Sequence, residues 1–258
     1  MKKTKFAVFF TALMVMLGLS SCLGEPDPYN TVTEVMKVNN YLGLYSFKSA
    51  AGYTVQPTNS EDLSSSSSSL TSSYAYVSYK YDTRTISSTT STIQAEILYL
   101  LPINDITPSY YATEANAPMY AVSSSLKFYD KTNIFVDLTY YYKSATNDEL
   151  KEELAKHDFV IYRDTEDEDA NDDTVVLVFT HEVSDPENDS ERTKLGTETR
   201  HFDLTSVLYG NEPEKIIIKF KQNQSSASLD DKNTKDSKIT IDYKKIVDQY
   251  FSSSTSSN

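Results

Sequence analysis

The sequence is poor in the residues on which many small exported domains and many enzymes depend. It contains one cysteine, no tryptophan, six glycines and three histidines in 258 residues. A single cysteine excludes an intramolecular disulfide, so the chain must be stabilised by an ordinary apolar core, which it is long enough to bury. No Gly-x-Ser-x-Gly elbow and no glycine-rich phosphate loop occur in it. We therefore predict that the protein is not an enzyme and uses no cofactor.

Long apolar runs are also scarce, and the longest of them lies near the N-terminus. Three lysines precede an apolar stretch over residues 6–19. This stretch is too short to cross a bilayer, because a spanning helix needs about 20 apolar residues. A charged start, a short apolar run and small residues before a cleavage point are the parts of a secretory signal. Residues 1–21 are predicted to be a signal peptide.

The single cysteine, Cys22, follows directly on this signal. It ends the run Leu19-Ser20-Ser21-Cys22, which has the leucine, small, small, cysteine order of a bacterial lipobox. An exported lone thiol would otherwise stay reactive or pair with another molecule, whereas two or more acyl chains anchor a protein stably. We predict lipidation at Cys22, with residues 22–30 as a polar tether. The acidic residues Glu25 and Asp27 favour an outer-membrane lipoprotein on the cell surface over one on the periplasmic face.

Positive charge is in short supply in the mature chain. Loss of the three lysines of the signal takes the formal net charge from −13 to −16. Such a charge disfavours nucleic acid, whose phosphates must be neutralised by Lys and Arg. It also disfavours docking on anionic lipid. The expected partners are the membrane, through the lipid on Cys22, and an unknown protein or glycan ligand.

Composition and periodicity predict an all-β protein. Twenty tyrosines accompany many Val, Ile and Thr residues, which favour strands. The first domain is predicted at 31–108 as an OB-like β-barrel, because five strands are the number in such a barrel. Asn39-Asn40 is expected to form the first turn, and Gly43 a bulge. The five predicted strands are Thr31–Val38, Tyr41–Phe47, Gly52–Pro57, Tyr74–Tyr81 and Ile93–Leu101.

A second domain, at 119–251, is predicted to be a β-sandwich. Its short strands are separated by turn signals, and the continuous apolar run Val175–Phe179 is typical of a central strand. A helix is expected at 148–156, and residues 246–251 fit either strand or helix. The tail 252–258 is expected to be disordered. The predicted strands are Ser125–Tyr129, Asn133–Tyr142, Asp158–Tyr162, Thr174–Thr180, Thr197–Leu204, Lys215–Lys221 and Lys238–Tyr243.

This layout resembles the NigD-like lipoproteins of Gram-negative anaerobes over nearly all the mature chain. The resemblance implies an N-terminal OB-like domain, a C-terminal β-sandwich and an envelope location. An immunity role has been proposed in that family, which has no established activity. The chain departs from the family in its long serine run and in Glu182, where Asn is more usual. The segments that carry the resemblance are Ser21–Leu23, Gly52–Pro57, Ile103–Thr107, Phe159–Tyr162, Leu177–Glu182 and His201–Leu204.

The densest chemical pattern is the acidic run at 164–173. Its alternating oxygen-bearing residues resemble the start of a calcium loop. Asp172 stands where such a loop requires Gly, and Val178 where it requires a bidentate Glu. We therefore favour a solvated hairpin loop. The four metal-ligand candidates of the less favoured interpretation are Asp167, Asp169, Asn171 and Asp173.

The histidines and a tyrosine run give two further candidates. His157, His181 and His201 have no helical zinc spacing, so structural histidines are favoured over a metal site. Tyr140, Tyr141 and Tyr142 could stack on a sugar or a peptide. Tyrosine also fills sandwich cores and pairs across strands, which is the favoured interpretation of this run.

Three functions are compatible with these features. The leading hypothesis is a non-catalytic envelope lipoprotein whose β-domains bind a partner, in an immunity or envelope role. The alternative is a glycan-binding accessory lipoprotein of a nutrient uptake system. The third is a lipoprotein pilin assembled by strand exchange, which is disfavoured because the first arginine is Arg84.

Overall fold

The computed structural model describes residues 27–61, 63 and 70–251. The predicted signal peptide, Cys22, the serine run and the predicted tail at 252–258 lie outside these residues. The chain divides into two compact units between Asn104 and Asp105. The predicted barrel ended at residue 108; residues 105–108 belong instead to the second unit, because the strand Thr107–Ser109 pairs there.

The first unit is a closed five-stranded barrel. Its strand order is β1-β2-β3-β5-β4, and β4 pairs again with β1. Only β3 and β5 run parallel. This order confirms the predicted OB-like barrel, and closure leaves no free sheet edge. The strands are β1 (Tyr29–Tyr41), β2 (Leu44–Ser49), β3 (Thr54–Pro57), β4 (Tyr74–Asp82) and β5 (Thr92–Ile103).

Alternating apolar residues fill the barrel interior. In β5, Ile93, Ala95 and Ile97 are buried while the residues between them are exposed. This period of two places one face of each strand inside. Phe47 and Val55 complete the same cluster from β2 and β3. Burial of each large apolar side chain stabilises the folded barrel by about 1.5–3 kcal/mol.

The first turn of the barrel differs from the prediction. Asn39 and Asn40 continue β1 and pair with β2, and the turn is Leu42-Gly43. Both turn residues have positive φ, 52° and 85°, which is the geometry of a type I′ hairpin turn. Gly43 is therefore a turn residue rather than a bulge. Its backbone N–H donates to the Asn40 side chain at 2.9 Å, which explains why an asparagine lies just before the turn.

The second unit is a β-sandwich, as predicted. One sheet has the order β14-β13-β11-β10-β6, and the other has β12-β9-β7 with β8 also paired to β9. Its strands are β6 (Thr107–Ser109), β7 (Ala121–Val122), β8 (Lys127–Phe128), β9 (Asn133–Lys143), β10 (His157–Asp164), β11 (Thr174–Val183), β12 (Arg192–Asp203), β13 (Lys215–Gln222) and β14 (Lys235–Ile241).

The sandwich core lies between the inner faces of these sheets. Phe159, Leu177, Ile218 and Leu138 are almost fully buried there. Val175–Phe179 lies in β11, the central strand of the five, as its apolar run predicted. β11 pairs along one edge with β10 and along the other with β13, so it has no free edge.

The described helices are short. Two 3₁₀ helices lie at Thr83–Thr85 and Pro186–Glu191. The α-helices include α1 (Asn147–Leu154), α2 (Thr205–Leu208) and α3 (Tyr243–Ile246), and α3 continues into a π-helical turn, Val247–Phe251. Residues 246–251 are therefore helical. Within the described residues, no helix has the length and apolar character needed to span a membrane.

We expect Leu42→Asn to stabilise the barrel by about 0.5–1 kcal/mol, because Asn tolerates positive φ better than Leu. Leu42 is 88% exposed, so little packing is lost. Urea unfolding of the full chain measures the effect. Leu44→Asn is the matched control, because Leu44 is also exposed but lies in a strand; it should give no gain. Equal or lower stability of Leu42→Asn would contradict the turn assignment.

Candidate functional site

The acidic loop, which joins β10 to β11, folds back onto a lysine of the same five-stranded sheet. The ammonium of Lys219 in β13 lies 2.8 Å from both carboxylate oxygens of Asp167 and 2.9 Å from Asp169. Lys238 reaches Asp169 at 3.1 Å. These hydrogen bonds raise the pKa of Lys219 and lower the pKa of both aspartates. Two of the four calcium-ligand candidates thus already bind an ammonium group of the protein.

The other two candidates shape the loop itself. The side-chain oxygen of Asn171 accepts from the backbone N–H of Asp173 at 3.0 Å, and Asn171 pairs with Thr174 through their backbones. Asp173 accepts through its carbonyl from Lys215. Among the described residues, no group of three or more acidic, His or Cys side chains is arranged to hold a metal ion.

A groove of about 400 Å³ lies beside Lys219, on the outer face of the five-stranded sheet. Tyr162 and Val178 form part of its wall. At its rim, Lys221 pairs with Asp236 at 2.8 Å. Both lysines that line the groove are therefore paired: Lys219 with the acidic loop, and Lys221 with Asp236 of the same sheet.

Two of the histidines meet in the sandwich interior, which their sequence positions do not reveal. His157 in β10 and His181 in β11 stack at 5.2 Å between ring centroids, and their Nδ1 and Nε2 atoms are 2.9 Å apart. The other nitrogen of His181 lies 3.3 Å from the carbonyl of Pro118. A carbonyl only accepts, so His181 Nδ1 donates to it and His181 Nε2 accepts from His157.

Glu153, at the end of α1, lies between this histidine pair, Arg192 and the backbone of β9. Its Oε1 accepts from the backbone N–H of Lys143 and from Arg192 Nε, both at 3.0 Å, and lies 3.5 Å from His157. Burial alone would raise the pKa of Glu153, but these hydrogen bonds lower it. Arg192 also binds Asp185. Glu153 and Arg192 are each 4% exposed in their side chains.

Asp185 is the more exposed carboxylate of the network formed by Glu153, Arg192 and Asp185. Burial would raise its pKa, yet hydrogen bonds from Lys156 and Arg192 bring the pKa to about 2. Lys156 reaches Asp185 at 2.7 Å and Glu153 at 3.5 Å. Two cations thus face two anions, and the histidine chain ends on a backbone carbonyl.

The third histidine ties the start of the second unit to β12. His201 Nδ1 lies 2.7 Å from Asp105, and Nε2 lies 2.9 Å from the Asn133 side-chain oxygen. The amide of Asn133 is oriented by its donation to Asp130 at 2.9 Å. Ile106 N–H donates to the His201 carbonyl at 2.7 Å. His201 is therefore a structural link.

The tyrosine run splits between the two faces of β9. Tyr140 is 3% exposed and packs on His157 and Phe159 in the core; burial and Glu198 raise its pKa. Tyr142 packs against the same core. Tyr141 lies on the opposite face, as strand alternation requires. Its ring meets Tyr120 edge to face at 5.7 Å.

The barrel holds a polar cluster that the sequence did not point to. Glu34 Oε1 accepts from Tyr79 at 2.8 Å and also from Tyr53, and Glu34 Oε2 accepts from Ser49 at 2.9 Å. Burial and Glu34 raise the pKa of Tyr53 to about 12 and also raise that of Tyr79. The cluster joins β1 to β4 and to the turn after β2. The members of this cluster are 15 to 45 residues from Glu34 in sequence. Only the pairing of the strands brings them together.

Acid should weaken the second unit through its histidine pair. Burial lowers the pKa of His181 to about 3 and also lowers that of His157. As the pH falls below about 6.5, the unfolded chain binds protons that the folded pair does not. The free energy of unfolding should therefore fall by about 2 kcal/mol from His181 alone between pH 7 and pH 5. Urea unfolding at both pH values measures this, and imidazole proton NMR should show His181 still neutral at pH 5. A protonated His181 in the folded protein at pH 5 would contradict the prediction.

Comparison with known proteins supports the fold. No protein-family model matches the sequence, and no curated protein matches it. A solved structure from Bacteroides fragilis named "Putative lipoprotein" is 24% identical, with a TM-score of 0.67 over 83% of this chain and 98% of that chain. At this identity the likeness shows a shared fold.

Two further structures are more distant. A "NigD-like immunity protein" from Bacteroides caccae is 15% identical, with a TM-score of 0.47 over 80% of this chain and 90% of that one. A "Putative TOXIN related protein" from Parabacteroides distasonis is 13% identical, with a TM-score of 0.49 over 86% of this chain and 100% of that one. Both scores are too low to support an argument. The barrel-plus-sandwich fold implied by the resemblance to NigD-like lipoproteins is confirmed by the structure itself and by its likeness to the Bacteroides fragilis protein.

Proposed function

We propose that the protein is an exported, outer-membrane lipoprotein, anchored through Cys22, whose β-domains bind a partner without catalysis in an immunity or envelope role. The observation that carries the non-catalytic part is the closed network around Glu153. Its cations and anions pair with each other, and its histidine chain ends on the Pro118 carbonyl. Such a network supports a binding scaffold rather than a reaction centre.

The anchor would hold the barrel close to the membrane. Seven residue steps separate Cys22 from Tyr29, where β1 begins. Fully extended, they span at most about 25 Å. After loss of the signal lysines the net charge is −16. This charge disfavours binding of the protein surface to anionic lipid by electrostatic repulsion. We propose that the domains lie on the cell surface, within reach of the bilayer.

Replacement of the cysteine tests the anchor directly. We expect the Cys22→Ser chain to lose incorporation of an alkyne-labelled fatty acid and to move from the membrane to the soluble envelope fraction, because one residue carries all the acyl chains. Gel fluorescence after click labelling and cell fractionation measure both effects. Protease treatment of intact cells should digest the wild-type protein if the domains lie on the surface.

Ser21→Ala is the matched control, because alanine keeps a small residue before the cysteine. It should label and fractionate like the wild type. Equal membrane retention of Cys22→Ser would overturn the anchor. Hydrolysis of an envelope or dietary polymer by the purified protein would overturn the non-catalytic assignment.

A further inference from the structure

The outer face of the smaller sheet carries an ordered set of side chains. In the register of β9 and β12, Leu195 lies opposite Tyr141, Thr197 opposite Thr139, and Thr199 opposite Asp137. Tyr140 and Tyr142 point to the core, so these three pairs point outward. We call the surface formed by the three pairs, together with Tyr120 and Lys127, the tyrosine face.

One end of the tyrosine face is apolar and aromatic. Tyr120 and Tyr141 meet at 82° between ring planes, and Leu195 beside them is 46% exposed. Burial and the neighbouring Tyr120 raise the pKa of Tyr141. Tyrosine rings offer rigid contact area at a low entropic cost. Their negative π-face attracts the polarised C–H groups that line one side of a sugar ring.

The next two rows are polar. The hydroxyls of Thr139 and Thr197 lie 3.0 Å apart. Beyond them, Asp137 accepts from Lys127 at 2.9 Å and from the Thr199 hydroxyl at 2.6 Å. Hydroxyl, carboxylate and ammonium groups together supply both donors and acceptors. Sugar hydroxyls need both, because each donates one hydrogen bond and accepts others.

The charge of the tyrosine face decides between ligand classes. Its only two charged side chains, Asp137 and Lys127, form an ion pair. A face without net charge does not favour an anionic polysaccharide or a nucleic acid, which need an excess of cations. It fits a neutral ligand.

The size of the tyrosine face favours a small ligand over a protein partner. Three strands about 4.8 Å apart and three rows about 7 Å apart cover roughly 10 by 14 Å. Past the third row, Phe135 and His201 are buried at 1% and 5% exposure, so the open face ends there. A standard protein interface needs about 800 Å² from each partner. One or two sugar rings match the smaller area.

We propose that the tyrosine face binds a neutral carbohydrate. Tyr141 stacks against a sugar ring, with Tyr120 and Leu195 beside it. Thr139, Thr197 and Asp137 hydrogen-bond the hydroxyls. This deepens the proposed partner-binding role by naming a ligand class, and it rests on the non-catalytic part of that role.

Binding to an array of neutral gluco-, xylo-, manno- and galacto-oligosaccharides tests the proposal. The full chain carrying Cys22→Ser is used, so that no detergent is needed and the result is independent of the anchor. We expect binding to at least one oligosaccharide class, reduced about tenfold or more by Tyr141→Ala. Tyr141→Leu keeps an apolar strand residue and loses the ring. It should bind as weakly as Tyr141→Ala while melting near the wild-type temperature.

Tyr111→Ala is the matched control, because Tyr111 is 82% exposed in the same unit but lies outside the tyrosine face. It should bind like the wild type. A blank array would overturn the carbohydrate proposal and leave the lipid anchor standing. Unchanged binding in Tyr141→Leu, or an equal loss in Tyr111→Ala, would also overturn it. So would a dimer in sedimentation that Tyr141→Leu dissociates, because the face would then be an interface between copies.

Discussion

The buried carboxylate of Glu153 is the group on which the polar interior of the second unit depends. It reaches from α1 to the backbone of β9 at Lys143, to Arg192 in β12 and towards His157 in β10. A buried charge is tolerated only when it is paired and hydrogen-bonded. One carboxylate thus joins a short helix to strands of both sheets. A helix of eight residues has little stability of its own, so α1 depends on these contacts as well.

The same constraint explains how the conspicuous polar residues of the two units are held in place. Asp167 and Asp169 of the acidic loop pair with Lys219, the histidine pair ends on a carbonyl, and Glu34 in the barrel accepts hydrogen bonds from hydroxyl groups. In each case the polar groups satisfy one another, as buried groups must. The recognition that we propose uses the outer surface of the smaller sheet. There Tyr141 sits among side chains that present an aromatic ring, hydroxyls and an ion pair on one small open face.

Strand content was predictable from sequence, but long-range contacts were not. Alternating residues in β5 and the apolar run of β11 indicated a strand with one buried face and a central strand, because burial acts directly on those patterns. The turn at Leu42-Gly43 was missed because leucine rarely adopts positive φ. The short strand β6 was missed because its partner, β10, lies about 50 residues further along the chain.

For the site residues, too, the strand pattern could be predicted from the sequence but the long-range contacts could not. A strand with period two separates Tyr141 from Tyr140 and Tyr142, yet the sequence does not say which set faces the core. The pairing of His157 with His181 depends on the register of β10 with β11, in which His181 lies opposite Phe159. That register is set by packing of the whole sheet. The network around Glu153 could therefore not be read from spacing alone.

A double-mutant cycle on Glu153 and Arg192 tests the central claim most directly. Glu153→Met and Arg192→Met should each lower the free energy of unfolding by about 3 kcal/mol or more, because each removes from a buried charge the partner that is buried with it. The double variant should cost far less than the sum, with a coupling of about 2 kcal/mol or more. Lys143→Met removes only the exposed pair with Glu191 and should change stability by less than about 0.5 kcal/mol. Additive losses in the cycle would contradict the account, because the two groups would then not stabilise the fold through each other.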